Sequence, residues 1–477
     1  MSKAIENLIP ILLLLVAVAL TLWRLPKVDL GHSPSFRRRR VQNWLPLGLT
    51  YAFLYFARYN INEGTSALKT LIDNEGFGRI FGVGAFVYGF SFLINGPLTD
   101  RLGGRKTILL AAGGSAVANL MLGGLVYAVV GNGFIPPGGL VLWMSVLYGV
   151  NMYFQSFGAV SIVKVNAAWF HVRERGVQGG IFGILISLGV YFGYDWSRMI
   201  VQASPSTPWL AFFVPAAILA LFFVVDFFWV KDSPKGAGHE DFDVGDGFVV
   251  DTTEVDMHRG FVASAKDVAA VFMTMLRNPV IMLIVAIEFC TGFLRNGVMS
   301  WYPKFAKATG MADDFVATNW GMLLCVFGIV GGMFAGIISD RVFNSRRGPV
   351  ASVLYAGITA GAIAMYFALD LPWIGWVLVF MALNYVGVHG MLSGTASADF
   401  GGRKNTGVAV GIIDGFVYLG TGLQSVIVGG LLPQKEAAAI ASNWINWPMA
   451  MIPVAVVGLI LCTRMWNAKP TNNAGAH

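Results

Sequence analysis

Hydrophobic runs of about 20 residues recur along this chain and are separated by short polar connections. A helix of about 20 apolar residues crosses the hydrocarbon core of a bilayer, so the pattern predicts membrane-spanning helices. The first span is predicted at 8–23. Twelve further spans are predicted at 44–62, 78–98, 107–130, 139–165, 177–199, 208–230, 279–299, 317–339, 349–369, 373–396, 406–430 and 443–465.

The composition agrees with an all-α membrane protein. Hydrophobic residues make up 56% of the chain and charged residues only 12%, and the mean hydropathy is +0.65. The net charge is +7, and the basic residues lie in short connections that are not interleaved with exposed aromatic residues. Nucleic acid is therefore not an expected partner. The three cysteines lie in apolar runs without metal-ligand spacing. We therefore expect no disulfide, metal site or cofactor.

The distribution of basic residues predicts how the chain crosses the membrane. Lys and Arg are concentrated in alternate connections, which places those connections in the cytoplasm. The C-terminus is then cytoplasmic, and the extra first span leaves the N-terminus on the periplasmic side. Because the chain carries no organellar transit signature, the inner (plasma) membrane of a bacterium is the expected location.

A polar stretch divides the twelve later spans into two sets of six. It covers 231–277, is rich in Asp, Glu and Gly, and contains no apolar run of membrane-spanning length. Such composition is typical of a solvated linker. The predicted organisation is therefore an extra transmembrane helix at 1–30, a six-helix half at 31–230, the cytoplasmic linker at 231–277 and a second six-helix half at 278–477.

Two features repeat between the halves at nearly the same spacing. Arg58 and Arg295 each lie within the first hydrophobic run of a half, and Asp100 and Asp340 each begin an Asp-Arg sequence after the second run. A charge at the bilayer centre costs at least ~2.5–3.5 kcal/mol, so intramembrane arginines are functional candidates by default. Two of them at matching places predict a clamp for an anion, and two related halves are a known transporter plan.

Several motifs resemble one transporter family. NGPLTDRLGGRK at 95–106 is similar to the loop signature of the major facilitator superfamily. NMYFQSFGAVSIVKVNAAWFHVRERG, KDSPKGAG and FLRNGVMSWYPKF resemble segments of its organophosphate:phosphate antiporters, the glycerol-3-phosphate and hexose-phosphate transporters. The resemblance runs from about Ser33 to about Ala468. It implies the major facilitator fold, with two six-helix halves related by a pseudo-twofold axis, to which this chain adds the N-terminal helix.

The resemblance also implies roles for particular residues. Arg58 and Arg295 match the family's phosphate-binding arginines, and the spacing of Tyr51 and Tyr55 places them on the same helix face as Arg58. Further pocket positions and the gating positions of the charged loops follow from the same match. The pocket positions are Tyr88, Tyr385 and Tyr418, and the gating positions are Asp100, Arg101, Arg105, Asp340 and Arg341.

This chain also departs from the family at several pocket positions. Phe92 stands where the family often has a lysine, Ile186 where it has a histidine, and Ser300 and Val326 where it has an acidic pair. The pocket has therefore lost positive charge and polarity, which counts against a divalent sugar phosphate and leaves a monovalent or bulkier organic anion as an open alternative. Other polar residues are present instead: His389 is a further candidate for substrate binding, and Asp414 and Glu288 are candidates for proton coupling.

Three functions remain open from the sequence. The first is a monomeric antiporter that exchanges an organic phosphate or related organic anion for inorganic phosphate. The second is a proton-coupled organic anion symporter that uses Asp414, His389 or Glu288. The third is a sugar-phosphate sensor that binds its ligand without transporting it. An enzyme is not predicted, because the sequence shows no nucleophile–base constellation and no phosphate-binding loop.

Overall fold

The structure is a computed structural model that describes residues 31–242 and 277–467, apart from 135, 172–173 and 344–345. Isolated positions before residue 31 and between 243 and 276 are described as well. The predicted extra helix at 8–23 and most of the predicted linker at 231–277 therefore lie outside the described residues. Within the described part of the chain, every regular element is a helix.

Six long helices form the first half of the described chain. They are α1 (Pro34–Ala67), α2 (Asn74–Leu102), α3 (Gly104–Val126), α4 (Leu140–Trp169), α5 (Arg175–Tyr191) and α6 (Leu210–Trp229). A π-helical turn, Tyr127–Gly131, extends α3. A second one, Phe192–Trp196, joins α5 to the short helix Ser197–Ala203.

Six further long helices form the second half. They are α7 (Pro279–Met299), α8 (Trp320–Val342), α9 (Arg347–Ala368), α10 (Ile374–His389), α11 (Ser397–Leu431) and α12 (Asn446–Arg464). Short helices at Trp301–Ala308 and Phe315–Thr318 connect α7 to α8, and a π-helical turn, Gly390–Ala396, joins α10 to α11. Short 3₁₀ turns lie at Pro137–Gly139, Lys235–Ala237, Lys435–Ala439 and Ala441–Ile445.

Each of the twelve later spans coincides with one of these helices, which confirms the prediction of an all-α membrane protein. Among the described residues, nine helical segments are long and apolar enough to cross a membrane. Helix starts follow from local chemistry. The Asn278 side chain accepts hydrogen bonds from the backbone N–H groups of Val280 and Ile281, and Pro279 occupies the first turn of α7, where no backbone donor is needed.

The helices form two compact units. Unit 1 contains Met1–Leu71 and Ile94–Ala265, and unit 2 contains Ile72–Leu93 and Lys266–His477. The first part of α2 therefore packs with unit 2, although it precedes the predicted linker in sequence. This packing places Tyr88 of α2 among the residues of unit 2.

In each unit, glycines allow the backbones of two helices to pack in close contact. In unit 2, a Cβ atom added at Gly292 of α7 would lie 1.9 Å from the carbonyl oxygen of Val417 in α11. In unit 1, a Cβ atom added at Gly189 of α5 would lie 2.6 Å from the carbonyl oxygen of Ala52 in α1. Both distances are below any contact that a real Cβ atom makes, so only glycine fits these helix–helix contacts.

The segment after α6 is held against unit 1. Asn43 and Lys231 exchange two hydrogen bonds, in which the Lys231 N–H donates to Asn43 Oδ1 at 2.7 Å and Asn43 Nδ2 donates to the Lys231 carbonyl at 3.3 Å. The indole N–H of Trp169 donates to the same carbonyl at 2.9 Å. Further along, the ring of Phe242 packs edge-on against Phe36, with the ring centroids 5.5 Å apart. The first residues of the predicted linker are therefore part of unit 1.

Candidate functional site

The arginine of unit 1, Arg58, is completely buried in the C-terminal third of α1. Its Nε donates a 2.8 Å hydrogen bond to Oε1 of Gln155 in α4. Its guanidinium carbon lies 4.5 Å from the ring centroid of Tyr55, which is within the range of a cation–π interaction. Because Gln155 and Tyr55 are neutral, they orient the guanidinium without cancelling its charge.

The predicted tyrosines of α1 lie in line with this arginine. The ring of Tyr51 packs edge-on against the ring of Tyr55, with their centroids 5.3 Å apart. Tyr55 in turn lies against Arg58. The structure therefore brings together the three α1 positions that the helical spacing placed on one face.

A buried polar network lies behind Arg58. The Tyr148 hydroxyl donates to the Arg58 carbonyl at 3.0 Å, and Asn151 Nδ2 donates to the carbonyl of Ala57 at 2.9 Å. Gln155 Nε2 donates to Oδ1 of Asn151 at 3.2 Å. These contacts tie α4 to the backbone of α1 at the arginine and hold its side chain in one orientation. Hydrogen-bonded polar side chains of this kind are the favourable way to bury polar groups in a membrane helix.

Sequence analysis did not identify Tyr148, Asn151 or Gln155 as functional residues. A signal was present, because Asn151 and Gln155 are two amide side chains one helical turn apart in an otherwise apolar run. Polar side chains at this spacing share one helix face. Which helix that face contacts depends on the tertiary structure.

The arginine of unit 2, Arg295, lies near the end of α7 and is partly exposed. Its guanidinium carbon lies 5.5 Å from the ring centroid of Tyr418 in α11. The Tyr418 ring in turn packs against the ring of Tyr88, with 4.2 Å between the centroids. Three predicted pocket residues from three different helices therefore lie together in unit 2.

A second cluster in unit 2 contains the predicted proton-coupling residues. Glu288 of α7 is completely buried, and its Oε2 lies 2.8 Å from Nδ1 of His389 at the end of α10. The hydroxyl of Ser393, in the π-helical turn after α10, donates to Oδ1 of Asp414 in α11. Tyr385, one turn before His389, is buried in α10. The unit that carries Arg295 thus contains a His389–Glu288 contact between two helices and, on a third helix, Asp414, which acts electrostatically on His389.

At the four pocket positions where this chain differs from the family, the side chains are apolar or hydrogen-bonded within their own unit. Phe92 packs against Tyr88, with their ring centroids 5.0 Å apart. Ser300 donates to Oδ1 of Asn296 at 2.9 Å. Val326 is buried, and Ile186 is partly buried at the edge of the hydrophobic core of unit 1. None of these four side chains brings a charge.

The predicted gating residues lie at the ends of α2 and α8 and the start of α3. Asp100 and Arg101 lie in the last turn of α2, and Asp340 and Arg341 lie in the last turn of α8. The Asp100 and Asp340 side chains are outside the described part of the structure. Arg105 donates to the carbonyl oxygen of Phe227 at 2.6 Å. Its backbone N–H donates to Oδ1 of Asp232 at 2.8 Å. The contacts described for Arg105 therefore lie within unit 1, and a gating role stays a prediction.

Comparisons with known proteins agree with this description. The chain is 24% identical over 464 residues to the glycerol-3-phosphate transporter of Bacillus subtilis, covering 92% of this chain and 95% of that protein. It is 23% identical to a probable hexose phosphate transport protein of Chlamydia trachomatis, covering 91% and 92% of the two chains. It is also 23% identical to the membrane sensor protein UhpC of Escherichia coli, covering 83% and 86%.

Solved structures show the same fold. A D-xylose–proton symporter matches with a TM-score of 0.65 and 16% identity, covering 92% of this chain and 99% of that one. A bacterial homologue of the lysosomal transporter Spinster, inward-facing and unoccupied, matches with a TM-score of 0.67 and 13% identity, covering 91% and 98%. At these identities the matches show a common fold and not a common substrate.

The family assignment follows from the match to the sequence profile of the Major Facilitator Superfamily, which extends over residues 47–425. This range includes parts of both units and all the candidate site and gating residues. It confirms the resemblance that the charged loop after α2 indicated, and the prediction of a multi-pass transporter rather than an enzyme. The chain belongs to the Major Facilitator Superfamily.

Proposed function

We propose that this protein exchanges an organic phosphate, of the glycerol-3-phosphate or sugar-phosphate type, or a related organic anion for inorganic phosphate by alternating access. Arg58 and Arg295 bind the anion, and Tyr51, Tyr55, Tyr88, Tyr385, Tyr418 and His389 line the binding site. The transported anions are its partners, together with the bilayer of a bacterial inner membrane. The C-terminus is cytoplasmic, the N-terminus periplasmic, and the working form is a monomer.

The observation that carries this proposal is the complete burial of Arg58 against Gln155 and Tyr55. Its guanidinium is completely buried, its Nε is held by the uncharged side chain of Gln155, and it lies over the ring of Tyr55. A charge held in this way in a membrane helix is costly, and an anion that binds there offsets the cost. A guanidinium also presents a planar set of donors that matches the oxygens of a phosphate group.

The second arginine supports the same chemistry. Arg295 lies over the ring of Tyr418, as Arg58 lies over the ring of Tyr55. Two positive charges in the absence of an anion resist the conformational change that carries the site across the membrane. The protein therefore changes state when an anion is bound, which makes exchange obligatory.

The neutral pocket positions narrow the class of substrate. Phe92, Ile186, Ser300 and Val326 bring no charge, so the two arginines are the main source of positive charge for the anion. A phosphate monoester, which carries at most two negative charges, fits two arginines better than a highly charged bisphosphate does. The relatives named as glycerol-3-phosphate and hexose phosphate transporters are consistent with this class.

Phosphate counterflow tests the proposal. Proteoliposomes loaded with unlabelled phosphate are placed in labelled phosphate, and exchange is compared among wild type, Arg58→Lys and Arg295→Lys. Lysine keeps the charge but loses the planar donors, so exchange should fall by at least about tenfold in each variant. Arg79→Lys is the matched control, because Arg79 is exposed and pairs with Glu75 on the surface of α2. Wild-type rates in both test variants would contradict the proposal.

A sensor is the second candidate, and it is favoured by the similarity to the membrane sensor protein UhpC. A sensor would bind organic phosphate without transporting it. The same proteoliposomes distinguish the two functions when they are combined with binding of labelled glycerol-3-phosphate to the purified protein. Binding with no counterflow supports the sensor, and binding with counterflow supports the antiporter.

A further inference from the structure

His389 and Glu288 form a close pair of ionisable side chains in unit 2. Glu288 is completely buried, whereas the His389 side chain is 28% exposed. Their polar atoms are 2.8 Å apart, which is a short hydrogen-bond distance for nitrogen and oxygen. A buried carboxylate needs such a partner, because a charge without a partner is costly in an apolar interior.

The direction of the hydrogen bond follows from the charge on Glu288. When Glu288 is ionised, its carboxylate only accepts hydrogen bonds, so Nδ1 of His389 carries the hydrogen and donates it to Oε2. The other ring nitrogen, Nε2, is then the atom that can take up a further proton. When it does so, an N–H bond forms at Nε2, the ring becomes a cation, and the net charge of the pair changes from −1 to zero.

The second carboxylate oxygen adds to the case for a titrating pair. Oε1 of Glu288 is buried and has no hydrogen-bond partner in the part of the chain that the structure describes. A purely structural ion pair gains most when every polar atom is satisfied. An oxygen without a hydrogen bond makes the anionic form of the pair costly, and uptake of one proton by the pair lowers that cost.

Other ionisable groups face the pair from the surrounding helices. Asp414 of α11 and Arg295 of α7 act electrostatically on His389. Tyr355 of α9 and the thiols Cys290 and Cys462 lie near Glu288. Phenols and thiols are ordinarily neutral near pH 7, so Asp414 and Arg295 are the charges that bear on the pair. Asp414 accepts a hydrogen bond from Ser393, which belongs to the π-helical turn that begins after His389.

The pair is also connected to the candidate anion site. Glu288 and Arg295 are seven residues apart on α7, and this spacing puts them on one face of the helix, two turns apart. While the pair carries a net negative charge, it competes with a bound anion for the positive charge of Arg295. When the pair is neutral, this competition ends.

We propose that the His389–Glu288 pair takes up one proton when an anion binds at Arg295 and releases it when the anion leaves. This inference rests on the proposed binding of a phosphate-bearing anion. It makes anion binding pH-dependent beyond the ionisation of the anion itself. Tight binding then requires a state with one proton on Nε2 of His389, and the anion–proton complex is the species that crosses the membrane.

Calorimetry on the purified full-length protein in detergent tests this proposal, with inorganic phosphate as the probe. Titrations in buffers of different ionisation enthalpy give the number of protons taken up for each phosphate bound. The wild type should take up more protons than a Glu288→Gln/His389→Gln double variant, by up to one. Two glutamine side chains can still hydrogen-bond to each other, so the variant keeps the contact and loses the titration.

The pH dependence of phosphate affinity gives a second readout. A linked proton weakens binding by up to about tenfold for each pH unit above the range in which the proton is bound. The ionisation of phosphate itself affects the wild type and the double variant equally. The difference between their pH dependences of phosphate affinity therefore reports on the His389–Glu288 pair alone. His239→Gln is the matched control, because it removes a histidine that packs on Phe36 in unit 1; it should behave as the wild type does.

The possible outcomes separate the two proposals. Equal proton uptake in the wild type and the double variant would overturn the pair as the proton site and leave phosphate exchange intact. No phosphate binding and no counterflow in the wild type would overturn the exchange function, and the linked proton with it. If the double variant does not fold, the wild type and His389→Gln decide the matter, since equal proton uptake in those two proteins also overturns the proposal.

Discussion

Arg58 and Arg295 lie in the first long helix of their respective halves, yet their surroundings differ. Arg58 is completely buried and is hydrogen-bonded to Gln155. Gln155 belongs to a network of amide side chains that also contains Asn151 and Asn119. Arg295 is partly exposed, and it acts electrostatically on His389, as do Glu288 and Asp414 of the same unit. Each arginine has a tyrosine ring as a neighbour, Tyr55 for Arg58 and Tyr418 for Arg295.

The different neighbours of the two arginines suggest that the pH of the solution affects them differently. The amide side chains that contact Arg58 do not titrate in the physiological pH range, so their effect on the guanidinium is constant. A guanidinium near a histidine–carboxylate pair has an environment that changes when the pair gains or loses a proton. On the proposed function, the amide contacts in unit 1 give an attraction for the anion that does not change with pH, and the His389–Glu288 pair in unit 2 gives one that does.

The largest expected effect comes from giving Arg58 an acidic neighbour. Gln155→Glu puts a carboxylate against the guanidinium at a position where the neutral side chain lies 2.8 Å away. An ion pair would then form and compete with the transported anion, so phosphate affinity should fall by about 100-fold, or roughly 2.7 kcal/mol. Calorimetry with phosphate measures the loss.

Gln424→Glu is the control for this substitution. It places the same new carboxylate in unit 2, at a glutamine that pairs with Asn296 and not with an arginine. Phosphate affinity in this variant should stay within a few-fold of the wild type. An equal loss in the two variants would show that the effect of Gln155→Glu is not specific to Arg58.

The next effect concerns the helix contacts that position the two arginines. Gly292→Ala places a Cβ atom where only 1.9 Å is available to the carbonyl oxygen of Val417. Overpacking of this kind costs about 1–3 kcal/mol, and α7 and α11 must move apart. The thermal unfolding temperature in detergent should drop, and exchange should weaken because Arg295 and Tyr418 lie on these two helices.

Gly332→Ala is the control for this contact. Gly332 lies in α8, and a Cβ atom added there meets no other atom within 4 Å. The unfolding temperature of this variant should stay close to that of the wild type. A drop in Gly332→Ala as large as that in Gly292→Ala would contradict the assignment of the effect to the α7–α11 contact.

The smallest effect comes from the tyrosine rings. Tyr55→Leu and Tyr418→Leu remove the aromatic face next to each arginine while keeping an apolar side chain. Cation–π interactions contribute about 0.5–2 kcal/mol, so phosphate affinity should fall several-fold in each variant. Tyr55→Phe and Tyr418→Phe keep the ring and should lose less. A larger loss in the phenylalanine variants would show that the hydroxyl groups contribute more than the rings do.

Sequence analysis predicted the fold in detail and the candidate site in part. Span length alone located the twelve later helices, because crossing a bilayer imposes a minimum apolar length. The alignment of Tyr51, Tyr55 and Arg58 on one face followed from helical spacing, and their ring contacts agree with it. Contacts within one helix are local, and so they can be read directly from the sequence.

Contacts between helices could not be predicted in the same way. Nothing in the sequence of α4 specifies that Gln155 meets Arg58, and nothing in α7 specifies that Glu288 meets His389 from α10. Sequence analysis placed Glu288 two turns before Arg295 and His389 among the substrate-binding residues. The structure shows that these two side chains form a pair. Such pairings depend on how the helices are arranged in space, which spacing along one chain does not encode.

The segment after α6 has a practical consequence for dividing the protein. A cut at residue 230 would remove the backbone of Lys231, which accepts the Trp169 indole N–H and exchanges two hydrogen bonds with Asn43. It would also remove Phe242 from its contact with Phe36. If the two halves are expressed as separate fragments, the first fragment should therefore end after residue 242. A fusion partner placed between the halves should likewise be inserted after residue 242. The folding unit of the first half extends beyond its last transmembrane helix.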